Sequence, residues 1–505
     1  MTDRLRFAAL TFAMLAGAGS AAAQDLGRVE FPTSGSRAAQ PKFLEGVGFL
    51  HNFEYESARA AFREAQRIEP GFAMAYWGEA MTYTHPVWNQ KDADSARMAL
   101  ARLGPTPEAR AVKAPTAREK AYLRAVEVLY GEGPKPRLDT LYAVEMERLS
   151  AAHPEDEDAR SLHALALIGL SQGERVVSTY MRAGAIALDV LSRNPAHPGA
   201  LHYAIHAFDD PVHAPLGLTA ARAYSQIAPD APHAQHMTTH IFLALGMWDE
   251  VVSQNVVASG PERSALTPNH YTAWLLYGYL QAGRHAEARR HLELTRANMR
   301  PRQAATMAVM DAHYLIDTER WDDPVALAGD APQVPTRIGA LVAFARAYAA
   351  LRRGDAAALT RWRDALAAAA ADSARTFERV LALQLAGAEA HAAGQNEAAI
   401  ARLREAAALE GSMPVEFGPP LVVKPSYELL GEVLLAMARH DEAVGAFRRS
   451  LELAPKRWLS LRGLSRAATL AGDPAAADRA RTEWAAAWHA ADADLETQVD
   501  TAASD

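Results

Sequence analysis

The sequence predicts an all-α fold, a right-handed helical solenoid of irregular helix–turn–helix repeats. Three observations carry this expectation. From Pro41 onward, apolar residues recur with the 3.6-residue period of a buried helix face, and no run of alternating β-branched residues competes with it. Gly, Pro, Asn and Asp punctuate these Ala-rich stretches as short inter-helix turns would. The same landmarks then return: Pro195 and Pro229, each closing a helical stretch, are separated by the length of one two-helix repeat unit.

Composition narrows the function. Half of the 505 residues are apolar, so a large core can form and wholesale disorder is excluded. Lys plus Arg number 52 against 60 Asp plus Glu, a net charge of −8, which leaves no basic excess for nucleic-acid phosphates. Cysteine is absent, which excludes disulfides, thiol catalysis and cysteine-held zinc or iron–sulfur centres. There is no P-loop or dinucleotide fingerprint, so no nucleotide cofactor is expected, and no H-E-x-x-H or G-x-S-x-G. Histidine, by contrast, is abundant at 18.

In chain order, residues 1–23 read as a signal peptide. Arg4 and Arg6 precede the apolar run Phe7 to Ala16, and Ala21-Ala22-Ala23 fits a cleavage signal that leaves Gln24 as the mature N-terminus. The run is too short to span a membrane comfortably, and no later stretch is long enough, so a periplasmic or secreted chain without an integral membrane segment is expected. Residues 24–40 lack a sustained period and read as a linker. Residues 41–321 form the N-terminal repeats. Gly46, Ala58, Phe62, Ala65 and Pro70 mark an early one, while the stretch 84–120 is irregular and 131–137 is a connector. Residues 322–337 are a loop before the C-terminal repeats at 338–490. There, Gly387, Gly394, Ala399 and Ala406 mark one unit, and Tyr427, Leu430, Gly431, Leu434, Ala443, Phe447 and Pro455 mark another. Between them, the Pro-rich segment 411–425 is unsuited to helix and free to fold over a groove. Residues 491–505 are an acidic tail.

These small, large and proline landmarks resemble the tetratricopeptide repeat, and the interval from Pro195 to Pro229 matches its period. The segments HNFEYESARAAFREAQRIEP (51–70), FAMAYWGEAMTYTHPVW (72–88), HPGALHYAIHAFDDPVHAPLG (197–217), HAQHMTTHIFLALGMWDE (233–250) and PSYELLGEVLL (425–435) together resemble a group of exported bacterial tetratricopeptide proteins. The likeness covers most of the mature chain. It implies the fold and leaves the chemistry open.

The chemistry-bearing signal is a histidine register. In LHYAIHAFDD, Leu201, Ala204, Ile205 and Phe208 form the buried stripe, while His202, His206 and Asp209 form a second stripe beside it at i, i+4 and i+7. One repeat later His233, His236 and His240 stand at i, i+3 and i+7. His202 and His236 are separated by the same interval as Pro195 and Pro229, and so are His206 and His240. The resemblance implies that these positions lie on the first helix of each pair and face the concave groove. Neighbours one turn apart on a helix are about 5–6 Å apart and packed helices about 8–10 Å, so the four imidazoles are expected to share one patch. Glu79 follows the offset of His206 and is placed in the groove with His163 and His233; His270 and Tyr271 are candidates to extend its polar floor.

Three uses of the patch stay open: a divalent transition metal such as zinc, copper or iron, with Asp209 as ligand or orienter; an anionic peptide or small molecule; or histidines that merely stack between helices. The expected function is binding of a peptide, protein or small ligand in the concave groove beside a metal-capable histidine patch. A metal-dependent hydrolase or oxidase using that patch is the alternative.

Overall fold

The computed structural model describes residues 25–171, 175–260, 266–328, 336–372, 374–415, 417–493 and 495. The signal segment, Glu416 and most of the acidic tail therefore lie outside the described residues. Among the described residues, twenty-four α-helices follow one another, and the β-structure is one antiparallel pair of two-residue strands, Thr84–His85 and Gln90–Lys91. The protein is an all-α, tetratricopeptide-like helical solenoid.

The repeat frame is visible in how glycine and phenylalanine meet. Phe62, on the Tyr55–Ile68 helix, is fully buried between Gly46 and Gly78 of the two flanking helices. A Cβ at either glycine would stand 2.7 or 2.3 Å from the Phe62 ring, closer than non-bonded atoms approach. Phe447, on the His440–Leu453 helix, is held the same way by Gly431 and Gly463, with distances of 2.9 and 2.3 Å. Small residues on the outer helices thus let a large one fill the gap in the middle, at both ends of the chain.

Residues 25–39 are not helical, but they are not loose. Leu26 and Phe31 are buried, and Phe31 packs edge-on against Phe43, with ring centroids 5.2 Å apart.

The solenoid turns back on itself. Trp248 donates its indole N–H to the Lys456 carbonyl at 3.2 Å, and Trp488 donates to the Gln281 carbonyl at 3.1 Å. Beside them Arg457, fully buried, binds Asp317 at 2.6 Å and Glu428 at 2.8 Å. The Trp458–Leu470 and Pro474–Ala487 helices are thereby seated on the middle of the chain. The segment after the Asn396–Gly411 helix reaches residues of the N-terminal repeats, though Val415 and Phe417 stay exposed. Its Phe417 lies 5.6 Å from the Arg175 guanidinium, and Gly418, at φ +93°, sits so close to Trp274 that a Cβ would be 2.2 Å from the ring. Lys424 is buried between Glu428 and Glu432 at 3.1 and 2.5 Å.

Candidate metal centre

Three helices supply the site. The Pro198–Phe208 helix begins on His197, whose ring nitrogen accepts the Ala200 N–H, and Pro198 fixes the first turn. Its apolar stripe is buried, and His202 and His206 leave it one turn apart. The Pro232–Ala244 helix carries His233, His236 and His240. The His270–Gln281 helix, started by an Asn269–Thr272 capping box, places His270 in its first turn.

Six histidines meet there in two groups of three. In His202, His206 and His233, one ligand atom from each residue lies within 4.8 Å of the other two; the same holds for His236, His240 and His270. The groups adjoin, with His206 and His240 ring centroids 6.0 Å apart and His233 and His236 6.4 Å apart. The four histidines of the sequence register thus lie in one region, divided two and two between the triads. Each triad takes its third member from the start of the following repeat's first helix.

Hydrogen bonds fix which nitrogen of each ring is open. His202 donates Nδ1–H to the His51 carbonyl at 2.7 Å. His236 donates Nδ1–H to Oδ1 of Asn255 at 2.8 Å, and the Asn255 amide is oriented by its own donation to the Val251 carbonyl at 2.9 Å. His240 donates Nδ1–H to Asp209 at 2.5 Å. In neutral rings all three Nε2 atoms then carry lone pairs. Nε2 of His236 and Nε2 of His240 nevertheless stand 3.2 Å apart. Two lone pairs do not face each other at that distance unless a cation lies between them, either a proton or a metal ion. Two nitrogens bound to one tetrahedral ion at about 2.0–2.1 Å would be about 3.3–3.4 Å apart. In the other triad, Nε2 of His202, His206 and His233 is buried with no hydrogen-bond partner.

Burial pushes the pKa values of His202, His206, His233 and His236 well below the usual imidazole value, and neighbouring histidines push them further. His270 is partly open to the groove, but crowding strips water from its ring. That desolvation first, and His240 second, lower its pKa to about 4. At neutral pH these five rings are uncharged, the form a metal needs.

Aromatic rings wall the triads. Trp274 packs on His240 with centroids 4.3 Å apart, and Phe53 packs on His202 at 4.2 Å. Phe53 has φ +56°, an unusual conformation for a bulky side chain, held by Asn52, which bonds Leu26, Gly48 and Tyr224. Three cavities surround the centre, each touching one of its residues: about 250 Å³ at His206, about 240 Å³ at Asp209 and about 870 Å³ at His270. Val415 and Phe417 line all three.

Other candidates lie elsewhere. Glu79 does not join the histidines; it is fully buried and bound by Arg63 at 2.9 Å, by Gln66 at 2.7 Å and by Arg102. Its helix shares the repeat offset, but arginines from two neighbouring helices claim the carboxylate. His163 is buried beside Arg182 and belongs to neither triad; burial first and Arg182 second lower its pKa to about 4. His213 binds Asp210 at 2.8 Å. His51, Asp158 and His197 form a third cluster: His51 bonds Asp158 and Tyr203, each at 2.9 Å, His197 Nε2 lies 3.6 Å from Asp158 without a hydrogen-bond partner, and both histidines hold Asp158 well below the usual carboxylate range against the opposing effect of burial. Its part in the site is to present the His51 carbonyl to His202.

The fold and site define a tetratricopeptide-like solenoid with histidine clusters able to hold a metal. No protein-family model matches the chain, and no curated protein matches it by sequence. Among solved structures, the chain is similar to the APC/C hetero-tetramer Cut9–Hcn1, at 12% identity, 94% of this chain, 78% of that one and a TM-score of 0.32. It is also similar to yeast Tom70, at 12% identity, 93% and 95% coverage and a TM-score of 0.28. The TPR domain of P58(IPK) matches at 12% identity, 86% and 98% coverage and a TM-score of 0.20. Likenesses this distant carry no functional argument. No helix among the described residues is long and apolar enough to cross a membrane.

Proposed function

We propose that this protein is an exported solenoid that binds a transition metal ion in its interior, with His236, His240 and His270 as the primary ligands. The observation that carries the reading is the 3.2 Å approach of two Nε2 atoms whose Nδ1–H groups are both committed elsewhere. A proton could bridge one such pair. It would not account for three further unpartnered Nε2 atoms in the adjoining pocket. Asn255 and Asp209 act as orienters, the usual second layer of a histidine–metal site. Asp209 holds His240 through Nδ1 and so supports the metal rather than ligating it.

The ion would sit beside a groove for a peptide, a protein segment or a small ligand. The segment through Phe417 lines all three cavities beside the histidines, and its Val415 and Phe417 are themselves exposed to an incoming ligand. The cavity of about 870 Å³ beside His270 favours a second reading: a metal-dependent enzyme, with a small molecule bound next to an ion that keeps a position open to it.

Calorimetric titration of the metal-free full chain with zinc, cobalt(II) or copper(II) tests the primary reading. We expect binding at micromolar concentration or tighter, reduced in His240→Ala and abolished in the His206→Ala/His240→Ala double variant. Wild-type protein that takes up none of these ions would overturn it and leave the bridging proton as the explanation.

A further inference from the structure

We infer that the two triads form a single dinuclear centre that holds a pair of copper ions in the copper(I) state. The inference rests on the metal-binding reading above and extends it to a second ion, a stoichiometry and a metal identity.

The second ion follows from repetition. Each triad has two histidines one turn apart at the same register on the first helix of a repeat, and a third from the first turn of the next repeat's first helix, although the third members differ in register: His270 is the equivalent of His236, whereas His233 precedes His236 by one turn. His202 and His206 with His233 are one copy; His236 and His240 with His270 are the next. The equivalent leading residues, His202, His236 and His270, follow one another at equal intervals of one repeat. Orienting acceptors are also duplicated: the His51 carbonyl holds Nδ1 of His202, and Oδ1 of Asn255 holds Nδ1 of His236. A packing role would not require both copies to aim nitrogen lone pairs inward, since each buried, unpartnered polar atom is costly. In the first copy three Nε2 atoms are left in that condition within one cluster. The rings of the two copies are 6.0 Å apart at His206 and His240, so two ions would share one pocket and not act as separate sites.

The identity follows from charge and donor type. All six ligands are imidazoles, which suit copper, zinc, iron and nickel and offer little to magnesium or calcium. Two carboxylates touch the six residues: Asp209 on His240 Nδ1, and Glu54 on the His233 backbone N–H at 3.2 Å. Asp210, next along the chain, is already paired with Arg175 at 2.7 Å. Two divalent ions would therefore leave a large uncompensated positive charge in a buried site, which is strongly unfavourable. Two monovalent ions are balanced by the two carboxylates. Copper(I) is the monovalent ion that imidazole binds well, and three nitrogens per ion complete a coordination shell it accepts.

The test is an anaerobic titration of the metal-free full chain with copper(I) in competition with a coloured copper(I) chelator. We expect two ions retained per wild-type chain, and one each in His206→Ala and His240→Ala. His206→Gln and His240→Gln keep more of the side-chain volume and should give the same counts if either alanine variant loses its helical circular dichroism. A wild-type count of one, lost in His240→Ala and kept in His206→Ala, would overturn the dinuclear centre while leaving the metal-binding function intact. No uptake of any ion would defeat both. Two zinc ions held more tightly than copper(I) at matched free concentration would overturn the copper assignment.

Discussion

At the scale of single residues, the site depends on which nitrogen each ring leaves open. Asn255 is the clearest case. It is fully buried, its amide is oriented by donation to Val251 and Thr239, and its Oδ1 receives the His236 Nδ1–H. Asn255→Ala should weaken metal binding by about 10–100-fold, the usual effect of losing an outer partner of a metal ligand, while the metal count at saturation stays unchanged. His240→Ala should cost more, and His440→Ala, in the distant His440–Leu453 helix, should change nothing; competition titrations measure all three.

The pH dependence follows from burial. A buried neutral histidine with a lowered pKa meets proton competition only below its folded value, so affinity should hold through pH 6.5 and decline toward about 4, the value for His270. An unburied histidine patch, as expected from sequence alone, would lose its metal through about 6.5. Stability carries the same sign. The contribution of these neutral rings is complete above about 6.5, where unfolded histidine is also neutral, and is lost progressively as pH falls toward about 4 because the unfolded chain takes up protons first. Denaturant midpoints of the metal-free chain between pH 7 and pH 4.5 would show a steady fall; a flat profile would contradict the burial.

At the scale of helices, periodicity made much legible and burial made the rest invisible. The i, i+4 spacing of His202 and His206 and its return one repeat later are written in the sequence, as is His270 one further period on. What the sequence does not carry is the pairing of His233 with the earlier helix and of His270 with the middle one, since that depends on how consecutive repeats rotate. Glu79 shows the converse. It satisfies the offset, yet Arg63 and Arg102 from adjacent helices capture it, and no spacing rule announces such partners. Asn255 and Phe53 carry no motif; a positive φ at a phenylalanine is a property of the folded backbone. The repeat frame itself is testable through its large central residues. Phe62→Ala and Phe447→Ala should each destabilise by about 3–5 kcal/mol in urea unfolding, and Gly78→Ala should also destabilise because its methyl would press into the Phe62 ring.

For the whole molecule, closure distinguishes this chain from an open repeat array. Arg457 joins Asp317 and Glu428 with no water access, so Arg457→Ala should strip Asp317 of its arginine, leave Glu428 with Lys424 alone among cations, and cost about 3–5 kcal/mol. Thermal unfolding followed by circular dichroism would register it. The proposed export of the chain fits a centre free of cysteine, and sequencing the N-terminus of protein recovered from the periplasm or medium should begin at or near Gln24. The most direct measurement is elemental analysis of the untagged full chain, purified without chelators from cells supplied with transition metals. We expect copper, or another ion of the same series, at one to two equivalents per chain, falling in the His206→Ala and His240→Ala variants and absent when the two are combined. Wild-type protein free of metal on isolation, and still free after incubation with copper(I) and zinc, would contradict the central claim and make the six histidines a packing feature.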